Sequence, residues 1–172
     1  TRFDDGLTFV LDPPISLRLK KALGADQALN FDITNACAGM MTGAHILDSM
    51  IRAGIVKNGM VVSGECITPI ADTAIKEIKE GIDPQFASLT VGDSGVAFIL
   101  DASHDPNEGI EGIDMTTFAK FSELCFGMPS DQNSGVAMYT DAIKIHGAAL
   151  AKLPAYTEKM MDREGYRLSD FD

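Results

Sequence analysis

The chain has 172 residues, 45% hydrophobic and 23% charged, which suits a folded domain with a packed core and excludes disordered, collagen-like and coiled polymers. Its 25 acidic against 14 basic residues leave a formal charge of -11, which repels nucleic-acid phosphates and anionic membrane surfaces because no basic cluster offsets it. The longest apolar runs, such as 96–100, fall far short of the roughly 20 residues that span a bilayer. No basic-then-apolar leader opens the chain, and Cys37, Cys66 and Cys125 have neither metal spacing nor the even number of a disulfide framework. A cytoplasmic protein without bound metal or cofactor is expected.

Pro13 and Pro14 predict a short helix to Leu23, closed by Gly24. Residues 28–36, with Phe31, Ile33 and Thr34, predict a strand. From 37 to 53 the apolar residues Met40, Met41, Ala44, Leu47 and Ile51 recur at helical spacing, and Gly54 ends the run. A second strand is expected at 59–64, a charged helix at 71–80 and a third strand at 94–100. Residues 101–109 read as a turn before a strand at 110–118, and 126–135 as a loop. One long helix is then expected over 136–163, kinked or broken at Pro154. Helices alternating with strands predict an α/β protein with a largely parallel or mixed sheet. The chain opens at Thr1 without methionine, and Phe171 reads as the start of a strand, so a piece of a longer protein is expected.

The chemistry is expected at Asn35-Ala36-Cys37-Ala38-Gly39, where a strand gives way to a helix. Small neighbours let the backbone bend and a substrate reach the sulfur, while the first helical N–H groups stabilise a thiolate and a developing oxyanion. An inert buried cysteine among small residues fits the local pattern equally well. Gly92-Asp93-Ser94-Gly95 resembles the nucleophile segment of trypsin-like proteases, but Ser94 leads straight into a strand of an α/β chain, not an all-β double barrel. Asp93 is expected to hold this turn through backbone N–H groups.

The segment from Asp32 through Thr34 to Gly39 resembles the active-site segment of β-ketoacyl-acyl-carrier-protein synthase III, a thiolase-fold condensing enzyme. Residues 53–65 and the 91–97 turn are similar to that family's next strand and its glycine-rich turn. The resemblance implies a layered αβαβα thiolase-like fold, with 1–109 the end of the N-terminal half and 110–172 the start of the C-terminal half. It implies a decarboxylative Claisen condensation in fatty-acid or polyketide-type synthesis. Cys37 takes an acyl group from acyl-CoA, and a malonyl-thioester, such as malonyl-acyl carrier protein, supplies the carbanion. Acyl-CoA is then substrate rather than cofactor, and a homodimer, or a partner chain completing the fold, is implied.

By the same resemblance Val91 and Leu124 border the acyl pocket, although ordinary core packing explains both equally. Gln85 stands where the family has an arginine at the adenine end of coenzyme A, and it lacks that planar charge. Lys144 and Lys152, eight residues apart, would dock the acidic carrier protein, with a solvated helix face as the plainer explanation. His45, His104 and His146 read as structural, since the family's catalytic histidine and asparagine have no counterpart among these residues. Two alternatives stand beside the catalyst: a non-catalytic thiolase-fold subunit, and a hydroxymethylglutaryl-CoA synthase-like enzyme.

Overall fold

The computed structural model describes residues 12–105 and 107–171. They fall into two compact units divided in the chain after 69, after 91 and after 109: the first runs to 69 and resumes at 92, and the second takes 70–91 and the residues from 110 on.

In the first unit, helix α1 (Ile15–Ala22) carries Lys20 and Lys21 in its last turn, where cations offset the dipole. Its first N–H groups, on Ile15 and Ser16, donate to the Asp32 carboxylate at 3.1 and 2.9 Å. A 3-10 turn (Ala36–Ala38) leads into α2 (Gly39–Arg52), whose buried Gly43, Ala44 and Leu47 lie along one face. That face rests on β1 (Asn58–Glu65), which pairs antiparallel with β2 (Ser94–Asp101) from Asn58 opposite Asp101 to Glu65 opposite Ser94.

Two glycines allow the helix to lie this close. A Cβ on Gly43 would stand 2.5 Å from Val61 Cγ1, and one on Gly59 would stand 2.5 Å from Leu47 Cδ1. Gly59 and Val61 belong to the more covered face of β1, while Met60 and Val62 stand on the other and remain 41% and 38% exposed.

Helix α3 (Thr68–Glu77) follows β1, and the Asp93 carboxylate accepts the N–H groups of Ile67 and Thr68 at its start, at 2.6 and 2.8 Å. Those bonds hold Asp93 below the usual carboxylate range, the Thr68 backbone N–H first. The second unit contains most of α3, a 3-10 turn (Phe86–Thr90), another (Ala119–Leu124), and the hairpin of β3 (Cys125–Pro129) and β4 (Val136–Thr140). Helix α4 (Ala142–Glu164) and a last 3-10 turn (Leu168–Asp170) complete it.

Several expectations are corrected. Both observed pairings are antiparallel rather than parallel or mixed. Residues 28–35 and 110–118 carry no strand in this chain, for an extended segment becomes a strand only beside a partner ladder. The expected loop at 126–135 contains most of β3, and the single helix over 136–163 is β4 followed by α4. Val136, Tyr139 and Thr140 favour a pleated strand, and the helix waits for Asp141, whose Oδ1 accepts the Lys144 N–H at 3.0 Å. Pro154 does not break α4, which runs on until Gly165 at φ +77°, where the Tyr166 N–H closes on the Met161 carbonyl at 2.9 Å. Phe171 packs edge-on against Tyr166, ring centroids 5.7 Å apart.

Candidate active site

Cys37 sits in the middle of the 3-10 turn ahead of α2, and its side chain is exposed. The sharp bend is made one residue earlier. Ala36 has φ +42°, the only non-glycine residue with positive φ among those described, a conformation that costs roughly 1–2 kcal/mol for a side chain with a Cβ. Gly39 has ordinary helical backbone with φ -56°, and a Cβ there would meet no atom within 4 Å, so its smallness leaves open space beside the turn. Asn35 Nδ2 donates to Thr42 Oγ1 at 2.7 Å, and Thr42 Oγ1 donates to the Ala38 carbonyl at 2.8 Å. An exposed thiol on a turn at a helix start can reach an electrophilic carbonyl, and the N–H groups of a helix's first turn are the kind of donor that stabilises an oxyanion.

The other expected site residues lie in the second unit. Leu124, at the end of its 3-10 turn, borders a shallow cavity of about 250 Å³ with Pro84, Glu123, Phe126, Tyr139, Thr140 and Asp141. Val91 is half-buried, extended, and not among that cavity's lining residues. Gln85 does not present a surface for an adenine ring. It is 2% exposed, its Nε2 donates to Glu77 Oε2 at 2.7 Å, and its Oε1 has no partner among the described residues.

Glu77 is the centre of this buried polar group. Ser130 Oγ donates to its carboxylate, Asn133 Nδ2 donates at 3.0 Å, and these bonds together with Gln85 hold Glu77 below the usual carboxylate range. Lys144 is ion-paired with Asp141 at 2.8 Å, which raises its own pKa through hydrogen bond and charge, so much of its field is spent within its own helix cap. Lys152 is exposed on the same helix. His45 lies on α2, His104 in the 101–109 turn and His146 on α4, and no cluster that could hold a metal occurs among the described residues.

Sequence reading passed over Glu77, the Asn35–Thr42 contact and the Asp32 cap on α1. Only the last left a signal, an aspartate ahead of a helix-forming segment, but it caps a helix that precedes it.

Residues 31–118 match the 3-oxoacyl-(acyl-carrier-protein) synthase III family. The chain belongs to that family. A β-ketoacyl-(acyl-carrier-protein) synthase III of Granulibacter bethesdensis is 26% identical over 168 residues, covering 93% of this chain and 48% of the relative. An acyl-CoA:acyl-CoA alkyltransferase of Shewanella oneidensis is 35% identical over 96 residues, 52% of this chain and 27% of the relative. Among solved structures, Xanthomonas campestris OleA with bound lauric acid and lauroyl-CoA superposes with a TM-score of 0.80 at 19% identity, over 96% of this chain and 50% of that one. This synthase III family member therefore has the fold of these thiolase-type condensing enzymes, and it spans about half their length. Among its described residues no helix is long and apolar enough to cross a membrane.

Proposed function

We propose that Cys37 is the nucleophile of an acyltransferase that performs a decarboxylative Claisen condensation. The thiolate attacks the carbonyl of an acyl-CoA, the tetrahedral oxyanion is received by N–H groups at the start of α2, and coenzyme A leaves as its thiol, with the acyl group held as a thioester on sulfur. A malonyl-thioester then loses carbon dioxide, and its carbanion attacks the acyl-cysteine, releasing the β-ketoacyl product and restoring the thiol. The observation that carries this reading is the exposed Cys37 on a 3-10 turn behind a left-handed Ala36, directly ahead of a 14-residue helix.

In the same reading 1–109 is the end of the N-terminal thiolase half and 110–172 the start of the C-terminal half. Val91 and Leu124 border the acyl chain, Lys152 with Lys144 faces an acyl carrier protein, and the working enzyme is a cytoplasmic homodimer. Gln85 serves the donor only indirectly, by fixing the 3-10 turn of Phe86–Thr90 through Glu77.

A second acyl-CoA could replace the malonyl-thioester as the carbanion source. The Shewanella oneidensis acyl-CoA:acyl-CoA alkyltransferase among the relatives, at 35% identity over 96 residues, favours this variant. Incubation with acyl-CoA followed by intact-mass measurement tests what the two readings share. One acyl group per chain, located on Cys37 and absent from Cys37→Ala, is the expected result. No adduct with any chain length supports instead a non-catalytic thiolase-fold subunit.

A further inference from the structure

We propose that Asn35 and Thr42 are positioning residues for Cys37, their side-chain bridge holding the turn that presents the thiol. The proposal rests on the acyl-transfer reading and deepens it. Ala36 at φ +42° stands immediately before Cys37, and an alanine keeps that backbone only where its surroundings determine it. The bridge encloses this position. Asn35, with φ -150° and ψ 38°, makes no side-chain cap on the 3-10 turn; its amide passes over the turn to Thr42 Oγ1, 2.7 Å away and seven residues on.

Thr42 gives its one hydroxyl proton to the Ala38 carbonyl, 2.8 Å away, which is a common habit of threonine in a helix. With that proton committed, the contact to Asn35 has to be an amide N–H donating into the threonine lone pair. The chain is thus held just before Ala36 and just after Cys37, and both holds converge on a single hydroxyl. Each group is neutral, so the bridge acts on the thiol through geometry and adds no charge beside it.

Valine at 42 keeps the branched shape and loses both bonds, whereas serine keeps both. Iodoacetamide alkylation of Cys37 in the whole chain, followed by peptide mass, reads the effect with Cys66 and Cys125 as internal references. Thr42→Val and Asn35→Ala should each slow alkylation of Cys37 by about three- to tenfold, the range that one net hydrogen bond spans. Thr42→Ser should restore the native rate, and the double variant Asn35→Ala with Thr42→Val should be no slower than either single change, because the two act through one bridge.

Native alkylation in Asn35→Ala, or a Thr42→Ser chain as slow as Thr42→Val, overturns the proposal. If Thr42→Val alters Cys66 and Cys125 as well, the fold has loosened, and Asn35→Ala, whose side chain is exposed, decides alone. Failure of the acyl-transfer reading is distinct: acyl-CoA then leaves no adduct on native Cys37 while the alkylation differences persist.

Discussion

Gln85 Nε2 donates to the Glu77 carboxylate at 2.7 Å, inside a unit where Glu77 is only 4% exposed. The charge is answered by neutral donors: Ser130 and Asn133 from the turn between β3 and β4, and Gln85 from the start of the Phe86–Thr90 turn. Ser88 Oγ adds a bond to the Met138 carbonyl at 3.1 Å, and the Thr140 N–H one to the Pro84 carbonyl at 2.7 Å. One carboxylate therefore ties α3, the 3-10 turn and the hairpin together.

This network predicts a pH dependence of stability. The folded-state pKa of Glu77 is lowered, first by Ser130, so its contribution is complete above the unfolded carboxylate value of about 4.3 and is lost as pH falls through the lower folded value. All three tyrosines, Tyr139, Tyr156 and Tyr166, lie in the second unit and report its unfolding by fluorescence. Native protein should lose urea resistance more steeply below about pH 4 than Glu77→Gln, which has no carboxylate to protonate at that position. Parallel pH curves for the two proteins would remove Glu77 from the account. Glu77→Ala should cost about 1–3 kcal/mol for each buried donor left unpaired.

The contact of α2 with β1 makes a second prediction, in which two similar substitutions separate. Alanine normally improves a helix by about 1 kcal/mol over glycine, but at Gly43 its Cβ meets Val61, with Cγ1 at 2.5 Å and Cγ2 at 3.3 Å. Valine is stiff at χ1 and cannot swing both methyls away, so overpacking at about 1–3 kcal/mol cancels or exceeds the gain. At Gly59 the obstacle is the far end of Leu47, which can change rotamer. Chemical denaturation should place Gly43→Ala below Gly59→Ala in stability, and the reverse order would mean that α2 lies farther from β1.

The contrast between these regions explains what the sequence revealed. The elements 15–22, 39–52, 58–65 and 94–101 were legible because capping, helical spacing and β-branched runs act within a few residues. Sheet direction was not, since antiparallel pairing of β1 with β2 depends on residues far apart in the chain, from Asn58 with Asp101 to Glu65 with Ser94. The turn at Cys37 was legible from small residues ahead of a helical run, whereas the strain fell on Ala36, an alanine that composition does not distinguish from any other. Glu77 read as one charge in a charged helix, because its three partners come from 85, 130 and 133. The near-continuous apolar run in β2 suits a strand covered on both faces, yet Val96 and Ile99 are 51% and 72% exposed.

That exposure sets a third expectation. Ile99, opposite Met60 in the ladder and on the same face as Val62, forms with them apolar surface of the kind that drives association when left in water. The isolated 172-residue chain should sediment as oligomers or aggregates at micromolar concentration, and Ile99→Lys should reduce association while leaving the helical circular-dichroism signal unchanged. A monodisperse monomer would show that the exposed strand faces are tolerated.

The last prediction concerns the length of the acyl chain. Val91 ends the Phe86–Thr90 turn in extended conformation, half-buried, and the bond from Ser88 to Met138 keeps that turn from sliding away to admit a larger side chain. If Val91 borders the acyl pocket, Val91→Phe fills space that the distal part of a chain would occupy and leaves the reacting carbonyl untouched. Acylation of Cys37 by acetyl-CoA should then stay within about twofold of native, while a long-chain acyl-CoA should fall about tenfold or more, since each methylene denied its place counts for roughly 1 kcal/mol or more. The measurement is the rate of adduct formation across a series of acyl-CoA lengths, with the thermal midpoint of the variant as control. A uniform loss at every length, accompanied by a lower midpoint, would make Val91 a packing residue and place the wall of the acyl pocket elsewhere.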